Sequence, residues 1–154
     1  MKTILMSIKP KWVAKILNGE KTIEIRKKFP KDYVGWVYIY CCKQRKNEIG
    51  CHINYEKVGG KVVARFWCDR VDEFYDFDDD LCEQACLDRG EMLGYLGDKK
   101  GYAIHITKLE IFDKPKEISE YWNNGKKVKG HNGTYQYSKL TRAPQSWCYM
   151  EIGD

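Results

Sequence analysis

The 154 residues carry 27 Lys and Arg against 22 Asp and Glu, a formal excess of +5, and 43% of them are hydrophobic. Such a chain can bury a core without metal or disulfide staples and is too apolar for a disordered tail, while its charge permits an anionic partner without demanding one. There is no apolar leader, no membrane-length apolar run and an odd count of seven cysteines, so we expect a soluble, cytoplasmic protein with free thiols.

Ile4-Leu5-Met6-Ser7-Ile8 has the length and apolarity of a strand. Lys9-Pro10 ends it, and Pro10 suits the first turn of a helix, where its missing N–H would be unsatisfied anyway. Trp12, Val13, Ile16 and Leu17 recur at helical spacing, and Asn18-Gly19 supplies a positive-φ stop. From Thr22 to Arg26 apolar and polar residues alternate, which predicts a strand with Ile23 and Ile25 toward a core and Glu24 and Arg26 together on the other face. Spacing alone leaves that charged face as either a solvated edge or a polar site. Lys27, Lys28 and Lys31 surround Phe29-Pro30 in a basic connection.

Trp36 to Cys42 is β-branched and aromatic without helical period, a strand, and Lys61 to Cys68 is another. Its continuation through Val71, Phe74 and Tyr75 either lengthens it or turns a barrel corner. Asp76 to Asp80 is an acidic cluster suited to a helix start, and it lacks the Gly and Glu that a calcium loop needs at its sixth and twelfth positions. One or two helices follow, as far as Leu96-Gly97. Tyr102 to Ile106 alternates as a strand that continues through Phe112, and His105 within it has no local nucleophile, so a packed, hydrogen-bonded histidine is expected. Glu117 to Trp122 has room for one helical turn. Asn123 to Gly133 is rich in Gly, Asn and Lys, a loop without the Gly-Lys-Ser/Thr ending of a nucleotide-binding P-loop, and Thr141 to Glu151 is a turn into a last strand.

Cys41, Cys42, Cys51, His52, Cys68, Cys82, Cys86 and Cys148 contain no Cys-x-x-Cys pair, so no metal is expected. The element order predicts an α+β fold, a small mixed β-barrel flanked by helices, as one domain over residues 1–154 with exposed excursions at 43–60 and 123–139.

Gly19-Glu20-Lys21-Thr22-Ile23-Glu24-Ile25-Arg26-Lys27 resembles the signature of the ASCH family of PUA-like barrels, a helix ending in Gly-x-Lys-Thr followed by Glu-x-Arg. Ser7-Ile8-Lys9-Pro10, Gly101 to Ile106, Asp113-Lys114-Pro115 and Pro144-Gln145-Ser146-Trp147 extend the resemblance over nearly the whole chain. It implies a cleft between the first helix and the barrel mouth, floored by the charged strand, in a superfamily whose relatives bind RNA or modified bases. The ligand-binding residues it suggests are Lys9, Lys21, Glu24, Arg26, Tyr102, Ser146 and Trp147, with Lys9, Lys21, Glu24 and Trp147 expected to meet in one place. Lys21 and Arg26 would serve phosphate or carbonyl oxygens, Glu24 would accept from a base amino group, and Trp147 or Tyr102 would offer a stacking face. The expected partner is RNA or a nucleotide or nucleoside, with DNA second and no membrane or cofactor.

Some small ASCH proteins deacetylate N4-acetylcytidine through a lysine, a threonine and a glutamate. Lys21 matches that lysine, but Glu24 stands where the nucleophilic threonine would be, so acyl transfer through a threonine is not expected. Two alternatives to a binding module stay open. One is a hydrolase on an acylated nucleoside, with Glu24 as general base and Lys21 or Arg26 at the oxyanion. The other is a protein-interaction adaptor whose charged cluster satisfies itself and whose cleft is plugged.

Overall fold

The computed structural model describes residues 1–44, 53–125 and 127–153. Its central strand is β1 (Lys2–Ile8), in which every residue after Lys2 is buried. A strand covered on both faces is largely apolar, which is why Ile4, Leu5 and Met6 show no alternation and only the small Thr3 and Ser7 are polar among the buried positions. β1 lies parallel to β3 (Gly35–Cys41), with Ile4 opposite Val37, and antiparallel to β11 (Trp147–Glu151). β4 (Val62–Cys68), β7 (Thr107–Lys116) and the short β8 (Trp122–Asn123) complete a six-stranded sheet in the order β7-β4-β3-β1-β11-β8. Ile4, Met6 and Ile8 enter one core with Val37, Ile39 and Phe66, whereas Leu5 enters a second with Tyr38, Tyr40, Tyr121 and Leu140.

A three-stranded sheet, in the order β2-β6-β5, is made of β2 (Ile23–Arg26), β6 (Gly101–His105) and β5 (Val71–Phe74). The two sheets share their chain at a corner. β4 passes into β5 through Asp69-Arg70 and β6 passes into β7 through Ile106, where His105 N–H donates to the Arg70 carbonyl (3.2 Å) and Ile106 N–H to the Thr22 carbonyl (3.0 Å). Lys108, just past the bend, is in the left-handed region at φ 46. The expectation of a barrel is therefore corrected in part. The fold is mixed α+β, but among the described residues no barrel closes, because the strands that turn the corner pair in a second sheet while β7 and the two-residue β8 remain at opposite edges.

Helix α1 (Pro10–Leu17) buries Val13 and Ile16 in the first core and ends at Gly19, φ 85, as its sequence requires. The described part of the 43–60 stretch holds a short helix, α2 (Tyr55–Val58), with Ile53 and Val58 against the first core; residues 45–52, including Cys51 and His52, lie outside the described residues. The acidic cluster does start a helix: Asp78 accepts from the Leu81 N–H (2.8 Å) to cap α3 (Asp79–Ala85). Cys86 at φ 56 ends it, and Asp88 and Glu91 form a reciprocal capping box on α4 (Arg89–Leu96). These two helices cover Ile23 and Ile25, which pack with Ala85, Met92, Leu96 and Ala103 in a third core. After a 3-10 turn (Ile118–Glu120), the described part of the 123–139 stretch holds a small hairpin of β9 (Val128–Lys129) and β10 (Tyr135–Gln136).

Candidate ligand cleft

With Ile23 and Ile25 committed to the third core, the alternation of β2 turns Glu24 to the opposite face, and that face is covered rather than wet. Lys21 is 2% exposed and Glu24 6%. The end of α3 secures the start of the strand, since the Gln84 carbonyl accepts from Thr22 N–H (2.9 Å) and the Ala85 carbonyl from Lys21 Nζ (2.5 Å). A helix C-terminus leaves such carbonyls unpaired and favours a cation beside them. Lys21 Nζ also lies 3.4 Å from Glu24 Oε1 and 5.1 Å from the centre of the Trp12 ring.

Arg26 ties this strand to the rest of the molecule. Its Nη2 donates to Glu24 Oε2 (3.1 Å) and to the Ser7 carbonyl at the end of β1 (2.9 Å), and its Nη1 donates to Ser146 Oγ (3.1 Å). Ser7 Oγ in turn donates to the Pro144 carbonyl (2.7 Å), so β1, β2 and the turn before β11 meet at one guanidinium. Burial by itself pushes the Glu24 carboxyl up, but Arg26 and then Lys21 outweigh it and hold the group below its ordinary range. Glu24 is thus an ionised carboxylate, shielded from water and fixed from both sides.

These side chains floor a cleft of about 470 Å³, a size suited to a small organic ligand. Trp12 of α1, Leu87, and Glu91 and Tyr95 of α4 line it, together with Lys9, Gln145 and Cys42. Burial pushes the Cys42 thiol up against the opposing influence of Arg26 and Lys9, and it pushes the Tyr95 hydroxyl up too. Both groups are therefore neutral at pH 7.

Of the residues that the sequence suggested, Lys9, Lys21, Glu24 and Arg26 line the cleft, and Ser146 is reached through Arg26. The two suggested stacking faces sit elsewhere. Trp147 donates its Nε1–H to the Lys28 carbonyl (2.9 Å) and packs on Phe29 and Tyr149, and Tyr102, opposite Arg26 on β6, packs toward the first core. Neither is among the residues lining the cleft. The aromatic walls are Trp12 and Tyr95 instead. Trp12 was concealed by its helical spacing, which also describes a core position, and Tyr95 lies on a helix with no clear apolar stripe to orient it.

His105 belongs to a different cluster. Its Nε2 is 2.7 Å from Asp72 Oδ2, and Arg70 Nε lies 3.2 Å from the same carboxylate oxygen. A carboxylate only accepts, so the imidazole donates from Nε2 and the arginine donates beside it. This is the packed, bonded histidine expected from the sequence.

No family model and no curated protein matches the chain. Among solved structures, ASCH from Zymomonas mobilis superposes over 75% of this chain and 73% of its own at a TM-score of 0.55 and 17% identity. One mutant form of that protein matches over 96% of this chain and 87% of its own at a TM-score of 0.59 and 16% identity. Another covers 75% of each chain at 0.54 and 16% identity. The chain has an ASCH-like fold.

Proposed function

We propose that the cleft binds a nucleobase, presented by a free nucleoside or nucleotide or by a nucleic acid. The observation that carries this is an ionised, buried Glu24 held between Lys21 and Arg26 on the cleft floor, with Trp12 and Tyr95 at its sides. A base offers amino donors and carbonyl acceptors on its edge and two flat faces. A carboxylate next to cationic donors complements the edge, and aromatic rings complement the faces. The ASCH-like fold is consistent with this.

Titration with the four ribonucleosides, their monophosphates and a short RNA tests it. Trp12→Ala should weaken binding by about tenfold, as loss of one stacking face does. Absence of binding by the wild type, or unchanged affinity in both Trp12→Ala and Glu24→Gln, overturns the proposal.

The hydrolase alternative is less well supported. A general base works best with a pKa near the operating pH, and Glu24 is held well away from it. Lys21 Nζ is already engaged by the Ala85 carbonyl. Equal turnover of acylated nucleosides by wild type and Lys21→Ala would end that alternative. An adaptor with a plugged cleft is disfavoured by a cleft of about 470 Å³.

A further inference from the structure

Residues 121–150 contain Lys126, Lys127, Lys129, Lys139 and Arg142 and no Asp or Glu. The remainder of the chain has 22 basic and 22 acidic side chains, so this one segment carries the whole formal excess of +5. Elsewhere the surface cations are often paired, as in Arg65 with Glu110, Arg89 with Asp79 and Lys100 with Glu73. Lys127, Lys129, Lys139 and Arg142 are all exposed, and none of them has an ion-pair partner among the described residues.

The same segment carries aromatic rings that the core does not use. Tyr135 is 68% exposed and stands opposite Lys129 on the hairpin. Lys139 Nζ lies 3.8 Å from the centre of the Trp122 ring and Lys127 Nζ 4.9 Å from that of Tyr137. A hairpin with two-residue strands gains little stability by itself, and an exposed tyrosine adds none. Concavities follow one another along the segment. Gln145 lines the cleft, Lys139, Arg142 and Pro144 line a groove of about 400 Å³, and Trp122, Lys127, Tyr135 and Tyr137 line another of about 320 Å³, together with Glu151, whose charge is already met by the N-terminal amine.

We propose that residues 121–125 and 127–150 form an outer track for a single strand of nucleic acid, leading from the rim of the cleft to the β9–β10 hairpin. The cations without ion-pair partners take the phosphates, and the exposed ring of Tyr135 takes the face of an unpaired base, which a duplex does not present. Both features are common to RNA and DNA, so the track does not distinguish them. The proposal deepens the base-binding function of the cleft and rests on it only for where the strand leads.

The test is binding of a labelled 12-nucleotide RNA of mixed sequence, its DNA counterpart, the RNA duplex and the four free ribonucleosides, from 50 to 200 mM salt. The triple variant Lys129→Ala, Lys139→Ala, Arg142→Ala should bind both single strands at least about tenfold more weakly at 50 mM salt. Its slope of log affinity against log salt should be smaller by about 2, at about 0.7 per phosphate contact on a single strand. Tyr135→Ala should weaken the single strands by about fivefold or more. Both variants should melt like wild type and bind free nucleosides as wild type does.

Wild-type affinity and salt slope in the triple variant overturn the track, as does a wild type that binds free nucleosides but no oligonucleotide; in the latter case the cleft function survives. Binding of oligonucleotides without any nucleoside binding leaves the track standing and removes the cleft function. Decaglutamate binding as tightly as the RNA, and unaffected by Tyr135→Ala, would make this an acidic-protein surface and overturn the proposal.

Discussion

The three-stranded sheet carries two charged trios of similar chemistry in opposite settings. Along β2, Glu24 is held between Lys21 and Arg26, with side-chain exposures of 8%, 1% and 12%. On β5 and β6, Asp72 is held by Arg70 and His105, with exposures of 51%, 66% and 17%. The distances to the carboxylates are alike, 3.4 and 3.1 Å in the first and 3.2 and 2.7 Å in the second. What differs is water. In the exposed trio solvent screens the attraction, and each group can exchange its partner for water at little cost. In the buried trio neither escape exists, so each charge depends on the others and their positions are fixed before a ligand arrives. Geometry alone would rank the two trios together; burial makes one a candidate site and the other surface trim.

The largest effect that sharpens this contrast is expected from Glu24→Ala. It strands Lys21 as a buried cation with no counter-charge, beside only the Ala85 carbonyl and the Trp12 ring, and should destabilise the fold by about 3–5 kcal/mol. In a chain of this size that corresponds to a melting temperature lower by roughly 10 °C. A loss under about 1 kcal/mol in denaturant unfolding would place the two trios in the same class. Replacing both partners, Lys21→Met with Glu24→Leu, should cost less than the two single changes added together, by about 1–3 kcal/mol in a double-mutant cycle; strict additivity would mean that the pair is not coupled.

The pH dependence follows from the lowered Glu24 pKa. Because the folded value lies below the unfolded one, its contribution is fully present above the unfolded pKa of about 4.3 and is lost as pH falls through the folded value. Wild type and Glu24→Gln should therefore converge in stability in acid below that pH and differ most from about pH 5 upward. A stability difference that is unchanged from pH 7 down to the acid transition would contradict the ionised carboxylate. Asp72→Ala, by contrast, should change stability by no more than about 1 kcal/mol, and by less still in high salt. The smallest change expected is a gain of about 0.5 kcal/mol from Cys86→Gly, since Cys86 holds a left-handed position at φ 56 that glycine adopts without its Cβ clash. A loss of stability would show that the Cys86 side chain packs more usefully than its exposure suggests.

Local signals in the sequence were reliable where a short stretch carried its own instruction. Pro10 and Gly19 bracketed α1, the acidic cluster Asp76 to Asp80 marked the start of α3, and the unbroken apolarity of Ile4 to Met6 belonged to a strand covered on both faces. The Gly19 to Lys27 stretch pointed to the cleft and to Lys21, Glu24 and Arg26, which line it. Trp147 and Tyr102 were less legible, because aromatic composition does not say which face of a strand a ring will find occupied by Phe29 or by the core.

The sequence by itself determined the periodicity of each element, the pairing of Ile23 with Ile25 and of Glu24 with Arg26, and the charge of every segment, since these are properties of neighbours along the chain. Only the tertiary structure decided that the strands bend into two sheets instead of closing, that Trp12 and Tyr95 wall the cleft, and that the charged face of β2 is dry. Those outcomes depend on contacts between residues far apart in the chain, such as Lys21 with Ala85 and Arg26 with Ser146, and no local pattern records which distant surface will exclude the water.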